Sequence, residues 1–424
     1  MTAGRRAAPA FRLLVTRDFG LLWLGETISQ IGDSLNRVAL LWFAYETSRS
    51  TLRMSLVGVM QTLPALLLGP LIGVYLDRLR KKPALVAVSL VRAIVVSAVP
   101  VLHAAHLLSL NLLYLLVLVL SVVGSVAGPA LATAVPLLVT PAELTGANGL
   151  IAATATIGVL LGPGVAGVGI AWLGISRVLY VDAASFVVFA VCVAFIRLPE
   201  RAPAEPVPLH PRALAGDLRA GLVFLARQQV GILLLTLVAG LQNIGASAFV
   251  FMLPAFVRRE VEGGSVWLGL LWSAFGLGML LASTSLAMVR RASVSRLLWI
   301  ALASLVVGGV AIPALSLVKV KLAAAILMVV IGWSAAAFSP VVISLVQGCT
   351  PVDLRARVLT AFNSANMAAV TVGMLAFGWA ADRLGEDLAL RGIGGVLLLT
   401  ALALGALMRV QVTRRMVENL AVEP

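Results

Sequence analysis

The sequence predicts an all-α membrane protein with twelve transmembrane helices in two six-helix halves, on three observations. The 424 residues are 61% hydrophobic and only 12% charged, with a mean hydropathy of +1.05, outside the range in which charged surface keeps a globular domain in water. The apolar residues gather into runs long enough to cross hydrocarbon, about 20 residues each. Two short motifs recur about 210 residues apart, as a duplicated half would require.

The first run, 19–44, follows the basic residues Arg5, Arg6, Arg12 and Arg17. It is longer than a signal-peptide core and no small-residue cleavage site closes it, so it reads as a retained span. Runs at 52–76, 83–103, 108–138, 144–171 and 178–197 complete the half 1–197. The segment 198–229 is a linker. It opens as LPERAPAEPVPLHP, expected to be extended. It continues as DLRAGLVFLARQQ, where Leu214, Leu218, Leu222 and Leu225 recur at helical spacing opposite Arg212, Asp217, Arg219 and Arg227. That pattern suits a helix lying on the membrane surface. The half 230–424 holds runs at 230–256, 265–289, 295–318, 321–348, 355–381 and 391–411. All twelve are too long and too continuously apolar for barrel strands, and helices satisfy their own backbone in lipid.

The formal charge of +14 is topological. With the amino terminus inside, cytoplasmic segments collect Arg78, Arg80, Lys81 and Lys82, the basic residues from Arg197 to Arg227, then Arg290, Arg291 and Arg296, and finally Arg409, Arg414 and Arg415. The opposite loops hold fewer, among them Arg49, Arg53, Lys319 and Lys321. The positive-inside rule therefore puts both termini in the cytoplasm, and nucleic acid is not an expected partner. Cys192 and Cys349 lie in separate spans and make neither a disulfide framework nor a metal site. No nucleotide-binding glycine loop and no nucleophile with a recognisable base is present, so neither an enzyme nor a cofactor is expected.

The halves share two motifs. SQIGDS (Ser29 to Ser34) in span 1 answers to QNIGAS (Gln242 to Ser247) in span 7, and TPAEL (Thr140 to Leu144) before span 5 answers to TPVDL (Thr350 to Leu354) before span 11. A common offset points to a parallel repeat, and duplicated six-helix halves usually hold a transport site near the midplane.

Between spans 2 and 3 stands GVYLDRLRKKP, from Gly73 to Pro83. Gly73 permits close packing, Asp77 accepts from Arg78 or a neighbouring helix, Lys81 and Lys82 hold the loop inside, and Pro83 starts the next span. In span 5, Gly149, Gly158, Gly162, Pro163, Ala166 and Gly167 make a smooth, bent surface in GLIAATATIGVLLGPGVAG. The first pattern resembles the loop signature of the major facilitator superfamily, with Arg80 where that family usually has glycine. The second resembles the span 5 motif of its antiporters. LWLGETISQIGDSLNRVALLWFAYETSRST and DLRAGLVFLARQQ look most like the drug:proton antiporter branch that includes macrolide efflux proteins and the enterobactin exporter. The resemblance implies that Asp77 latches to the start of span 11, where Arg355 and Arg357 stand. It also implies that the span 5 glycines seal the outward side, with Gly276 and Gly278 as the facing surface. The setting it implies is a bacterial plasma membrane.

Ionisable groups within spans are functional candidates. Glu26 and Asp33 lie two turns apart on one face of span 1 with Gln30 between them, and Arg37 is one turn beyond Asp33. Proton uptake by either carboxylate, with Arg37 modulating Asp33, is one reading. A structural Asp33–Arg37 pair with Glu26 facing water is the other. Arg92, mid-span 3, needs an acidic or carbonyl partner and serves coupling or structure; Asp182 is expected to pair with Arg177 near the outer surface. Substrate contacts are sought at Gln30, Gln242, Asn243, Phe249, Phe338, Phe362, Asn363 and Asn366, with Phe251 and Met367 as apolar neighbours. Helix packing explains the asparagines equally well.

The expectation is a monomeric secondary transporter that exports small hydrophobic or amphiphilic compounds by proton antiport. The alternative is a dedicated exporter of an endogenous product such as a siderophore, an antibiotic or a lipid. Uptake by symport and a sensor that moves nothing rank behind these.

Overall fold

In the computed structural model, the structure describes residues 10–76, 80–198, 230–259, 264–288, 293–318, 320–350 and 352–409. Among them every regular element is helical. A short 3₁₀ turn, Ala10–Val15, leads into α1 (Arg17–Ser48), α2 (Thr51–Leu76), α3 (Lys81–Ala104), α4 (Leu110–Gly124), α5 (Ala127–Ala134), α6 (Leu144–Leu173) and α7 (Ile175–Phe195). The second set is α8 (Val230–Arg259), α9 (Ser265–Ala287), α10 (Val294–Leu317), α11 (Lys321–Gly348), α12 (Val352–Leu384) and α13 (Glu386–Arg409).

Ten spans, with α4 and α5 counted as one, are long and apolar enough to cross a membrane. The 32 residues of α1 and the 26 of α2 exceed the length needed; α1 is less apolar because its interior holds Glu26, Asp33 and Arg37. Together they make two sets of six. The expected span 4 breaks after Gly124, where the Arg92 guanidinium from α3 lies about 3.6 Å from where a Cβ would stand. Span 6 begins at Ile175, earlier than expected, because Gly174 turns the chain at φ +80°, a conformation glycine adopts at little cost. Gly385 does the same at φ +91° before α13. The amphipathic helix expected within 198–229, Asp77 and Arg78 lie outside the described residues, except for Leu198.

The chain forms two compact units. One comprises Met1–Phe43 and Leu63–Pro208, the other Ala44–Thr62 and Leu209–Pro424. In the first, α3 packs along α7 and also meets α4 and α5. Phe19 and Leu22 of α1, Leu85 of α3, Ala130 of α5 and Phe189 and Val193 of α7 close into one buried apolar cluster. Lys82 is more than a topological charge. Its ammonium donates to the Ile196 carbonyl at 2.9 Å and satisfies a carbonyl just past the end of α7, where a cation is electrostatically favoured.

In the second unit, α11 packs along α9 and α10, and α8 along α12 and α13. Gly278 of α9 lies against the Val329 and Trp333 backbone of α11, and Gly332 of α11 against the Phe275 backbone of α9. Gly278 is thus spent on closing two helices of its own unit, where the sequence suggested a surface facing the other half. Asp382 of α12 caps the start of α2. It accepts from the Thr51 N–H at 2.6 Å, from the Leu52 N–H at 3.3 Å and from the Ser50 hydroxyl.

Candidate functional site

The first unit gathers its interior charges at mid-helix. Arg92, near the middle of α3, donates through Nη2 to Asp33 Oδ1 in a salt bridge. Its guanidinium carbon lies 4.0 Å from the centre of the Phe186 ring on α7, a cation–π contact that orients the plane. Arg37 is exposed, so the expected Asp33–Arg37 pair gives way to a contact across 59 residues. The Arg92 side chain is only 14% exposed, and a cation so placed needs a counter-charge. Gln30 donates through Nε2 to Glu26 Oε1 at 2.8 Å, which joins the two residues that the helical spacing placed together.

Asp182 is placed differently from the expectation. It is wholly buried a third of the way along α7, while Arg177 is exposed. Ser185 donates to the Asp182 carbonyl at 2.7 Å and stands 3.4 Å from its carboxylate Oδ1. Gly32 of α1 admits the cluster: a Cβ there would meet Asp182 Oδ1 at 2.6 Å.

Two of the span 5 glycines, Gly158 and Gly162, face α1. The Ser34 hydroxyl donates to the Gly158 carbonyl at 2.8 Å, with the Gln30 carbonyl at 3.1 Å. A Cβ on Gly162 would occupy the place of the Ser34 side chain. Trp23 Nε1 donates to the Leu150 carbonyl at 3.0 Å. Thus α6 seats itself along the helix that carries Glu26 and Asp33. Gly149 has open space around it, Pro163 lies within the helix, and Gly167 takes part in an interaction of its own. The other half repeats the device: Ser247 of α8 donates to the Val370 carbonyl at 3.2 Å, beside Gly373 of α12. The SQIGDS and QNIGAS pair therefore marks the same serine-on-glycine seat twice.

The second unit holds a partly open cavity of about 270 Å³, lined from α8 to α13. Gln242, Asn243, Phe249, Phe251, Phe275 and Phe338 are among its lining residues. Asn243 donates to Asn366 Oδ1 at 2.7 Å and to the Ala239 carbonyl at 3.0 Å. Asn366 in turn donates to the Phe362 carbonyl at 2.7 Å. So Asn366 and the buried Phe362 stand behind the wall, and Asn363 is exposed. Gln30 belongs to the first unit. Ser304 and Ser334 also line the cavity; serines in apolar spans carry no sequence signal that separates a lining residue from a packing one.

For the expected cytoplasmic latch the description is partial. Gly73 is helical within α2, and Arg355 Nη2 donates to the Thr350 carbonyl at 3.4 Å. Arg357 lies in α12, and Lys81 and Arg80 each have interactions. Among the described residues no group of three or more metal-ligating side chains is assembled.

Several known proteins are similar. An uncharacterised transporter of the major facilitator type, YfiS of Bacillus subtilis, is 29% identical over 90% of this chain and 92% of its own. Multidrug efflux pump Tap of Mycolicibacterium fortuitum is 26% identical, over 84% and 87%. Macrolide efflux protein A of Streptococcus pyogenes is 23% identical, over 64% and 66%. Among solved structures, the nucleoside transporter NupG superposes with a TM-score of 0.72 at 15% identity, over 92% of this chain and all of that one. A bacterial homologue of the human lysosomal transporter Spinster gives 0.71 at 13%, over 96% and 98%. These two show the fold. Residues 8–422 match the family described as transmembrane secretion effector. The chain belongs to that family and is a multi-pass transporter of the major facilitator superfamily with efflux-pump homologues.

Proposed function

We propose that the protein exports small hydrophobic or amphiphilic compounds from a bacterial cytoplasm by proton antiport, with alternating access of its two halves and both termini in the cytoplasm. The observation that carries the coupling is the interior charge set on α1 and α3: Glu26 held by Gln30, and Asp33 held by Arg92. Charges at membrane depth are costly and are kept where they move protons or bind charged cargo. Glu26 and Asp33 exchange protons with water on each side in turn, and Arg92 is the charge partner of Asp33. Because α6 rides on α1 through Ser34, Gly158 and Gly162, a change of charge on α1 is passed to the helix that contains Pro163.

Substrate binding draws on the cavity of the second unit, whose phenylalanines offer apolar surface and whose Gln242 and Asn243 offer polar groups. A cavity of about 270 Å³ takes a small ligand or part of a larger one. The efflux relatives support drug-like cargo over a dedicated endogenous product, which is the second reading. Expression in a bacterium stripped of its own pumps tests the proposal. Accumulation of ethidium and erythromycin should fall, and a protonophore should restore it. Unchanged accumulation of both would favour an endogenous cargo.

A further inference from the structure

Two carboxyl groups of the first unit, Asp33 and Asp182, lie near the Arg92 guanidinium, and only Asp33 is bonded to it. Asp33 is bonded to Arg92 and its side chain is 24% exposed. Asp182 is fully buried, and its Oδ2 has no hydrogen-bond partner among the described residues. Its neighbours are Ser185 on its own helix and Gly32 and Asn36 on α1. The charged groups that bear on it are Asp33 from α1 and Arg92 from α3; α6 carries no ionisable residue, and Arg177 of α7 is exposed. An ionised carboxylate left this way would be a buried charge whose neighbouring cation is already bonded to Asp33, which proteins avoid by keeping the group neutral.

We infer that Asp182 is a proton-binding residue of this transporter, and that Arg92 passes the proton between Asp182 and Asp33 by exchanging its carboxylate partner. Arg92 is placed for this. Its guanidinium lies over Phe186, one turn beyond Asp182 on the same face of α7. Its buried Nε makes no hydrogen bond among the described residues, so a donor is in hand. In the inferred cycle the resting arrangement is the one the structure shows, Arg92 paired with Asp33, with the proton on Asp182. When Arg92 turns to Asp182, that carboxyl ionises and its proton moves to an oxygen of Asp33, which has just lost its counter-charge. One proton is transferred, and the cluster of two carboxyls and a guanidinium stays neutral. The proton then leaves from Asp33, the exposed member. Gly32 allows this by letting the α1 backbone touch the α7 carboxyl.

This rests on the antiport reading, and the test separates the two. Purified wild type, Asp182→Asn and Asp33→Asn are placed in acid-inside liposomes with ethidium, following both gradient-driven uptake and ethidium exchange without a gradient. Wild type should discharge the gradient. Asp182→Asn should lose gradient-driven uptake by about tenfold or more, as expected on removal of a functional intramembrane acid, while exchange stays near the wild-type rate. If wild type moves ethidium without discharging the gradient, the antiport reading fails and the inference with it. If wild type discharges it and Asp182→Asn does so equally, the inference alone fails. Infrared spectra of the three proteins at neutral pH, without cargo, give an answer that does not need transport. A protonated-carboxyl band missing in Asp182→Asn and kept in Asp33→Asn supports the assignment. A band unchanged by Asp182→Asn overturns it, even where that variant transports poorly.

Discussion

Single residues show most clearly what was legible. The spacing of Glu26, Gln30 and Asp33 is a property of one helix, so the contact between Gln30 and Glu26 follows from it. The partner of Asp33 does not, because it comes from another helix and the local rule favoured Arg37. Asp182 was unreadable for the same reason: only packing decides that it is buried against α1 and away from Arg177. Removing Asp33 breaks the salt bridge in which Arg92 rests, so Asp33→Ala should cost about 1.5–3 kcal/mol of stability, the scale for a hydrogen bond to a charged group. Arg37→Ala should cost little. Thermal unfolding of the two variants in detergent checks the pair, and equal midpoints would contradict it.

The same limit holds for glycines, which a sequence presents as a stripe but packing sorts one by one. Gly162→Ala should destabilise by about 1–3 kcal/mol, as overpacking does, because Ser34 already fills the place of the methyl. Gly149 faces open space, so Gly149→Ala should be neutral or slightly stabilising through helix propensity. Urea- or heat-induced unfolding of both variants measures the contrast, and similar losses for the two would remove the close α1–α6 seat.

At the scale of elements, the twelve spans were readable because length and apolarity are one-dimensional. The break between α4 and α5 was not, since the apolar run Leu110–Leu137 continues through it. Helix starts add further tests. Asp382 caps α2 from a residue more than 300 positions away, so Asp382→Ala should lower stability by about 1 kcal/mol, measured as the unfolding midpoint of the full chain. Ahead of α6, the Thr140 hydroxyl donates to Glu143 at 2.7 Å and its N–H donates at 3.1 Å. The hydroxyl and then the N–H hold the Glu143 carboxyl below its ordinary value of 4.5. A depressed carboxylate stabilises the fold above its unfolded pKa, and this contribution fades as pH falls through the folded value. The difference in unfolding midpoint between wild type and Thr140→Val should therefore be full at neutral pH and shrink below about pH 4.5. A difference that grows towards acid would contradict the assignment. The TPAEL motif was legible as a repeat marker, but its hydrogen bonds were not.

For the molecule as a whole, the repeat was the strongest signal in the sequence, and its physical content is now specific. Each half seats a serine on a glycine helix, Ser34 against Gly162 and Ser247 against Gly373. The halves are specialised around this shared frame. The mid-helix charges Glu26, Asp33, Arg92 and Asp182 belong to the first. The phenylalanine-rich cavity belongs to the second. On the proposed function coupling and cargo binding fall to different halves, and variants should separate them. Glu26→Gln and Asp33→Asn should impair coupling, while Phe338→Ala and Gln242→Ala should impair cargo affinity.

The most direct measurement follows ethidium uptake and internal pH together in acid-inside liposomes holding the purified wild-type chain. The account predicts that ethidium entry raises the internal pH in step, and that the paired variant Glu26→Gln with Asp33→Asn uncouples the two signals. Ethidium entering at an unchanged internal pH, or a paired variant as well coupled as wild type, would contradict it.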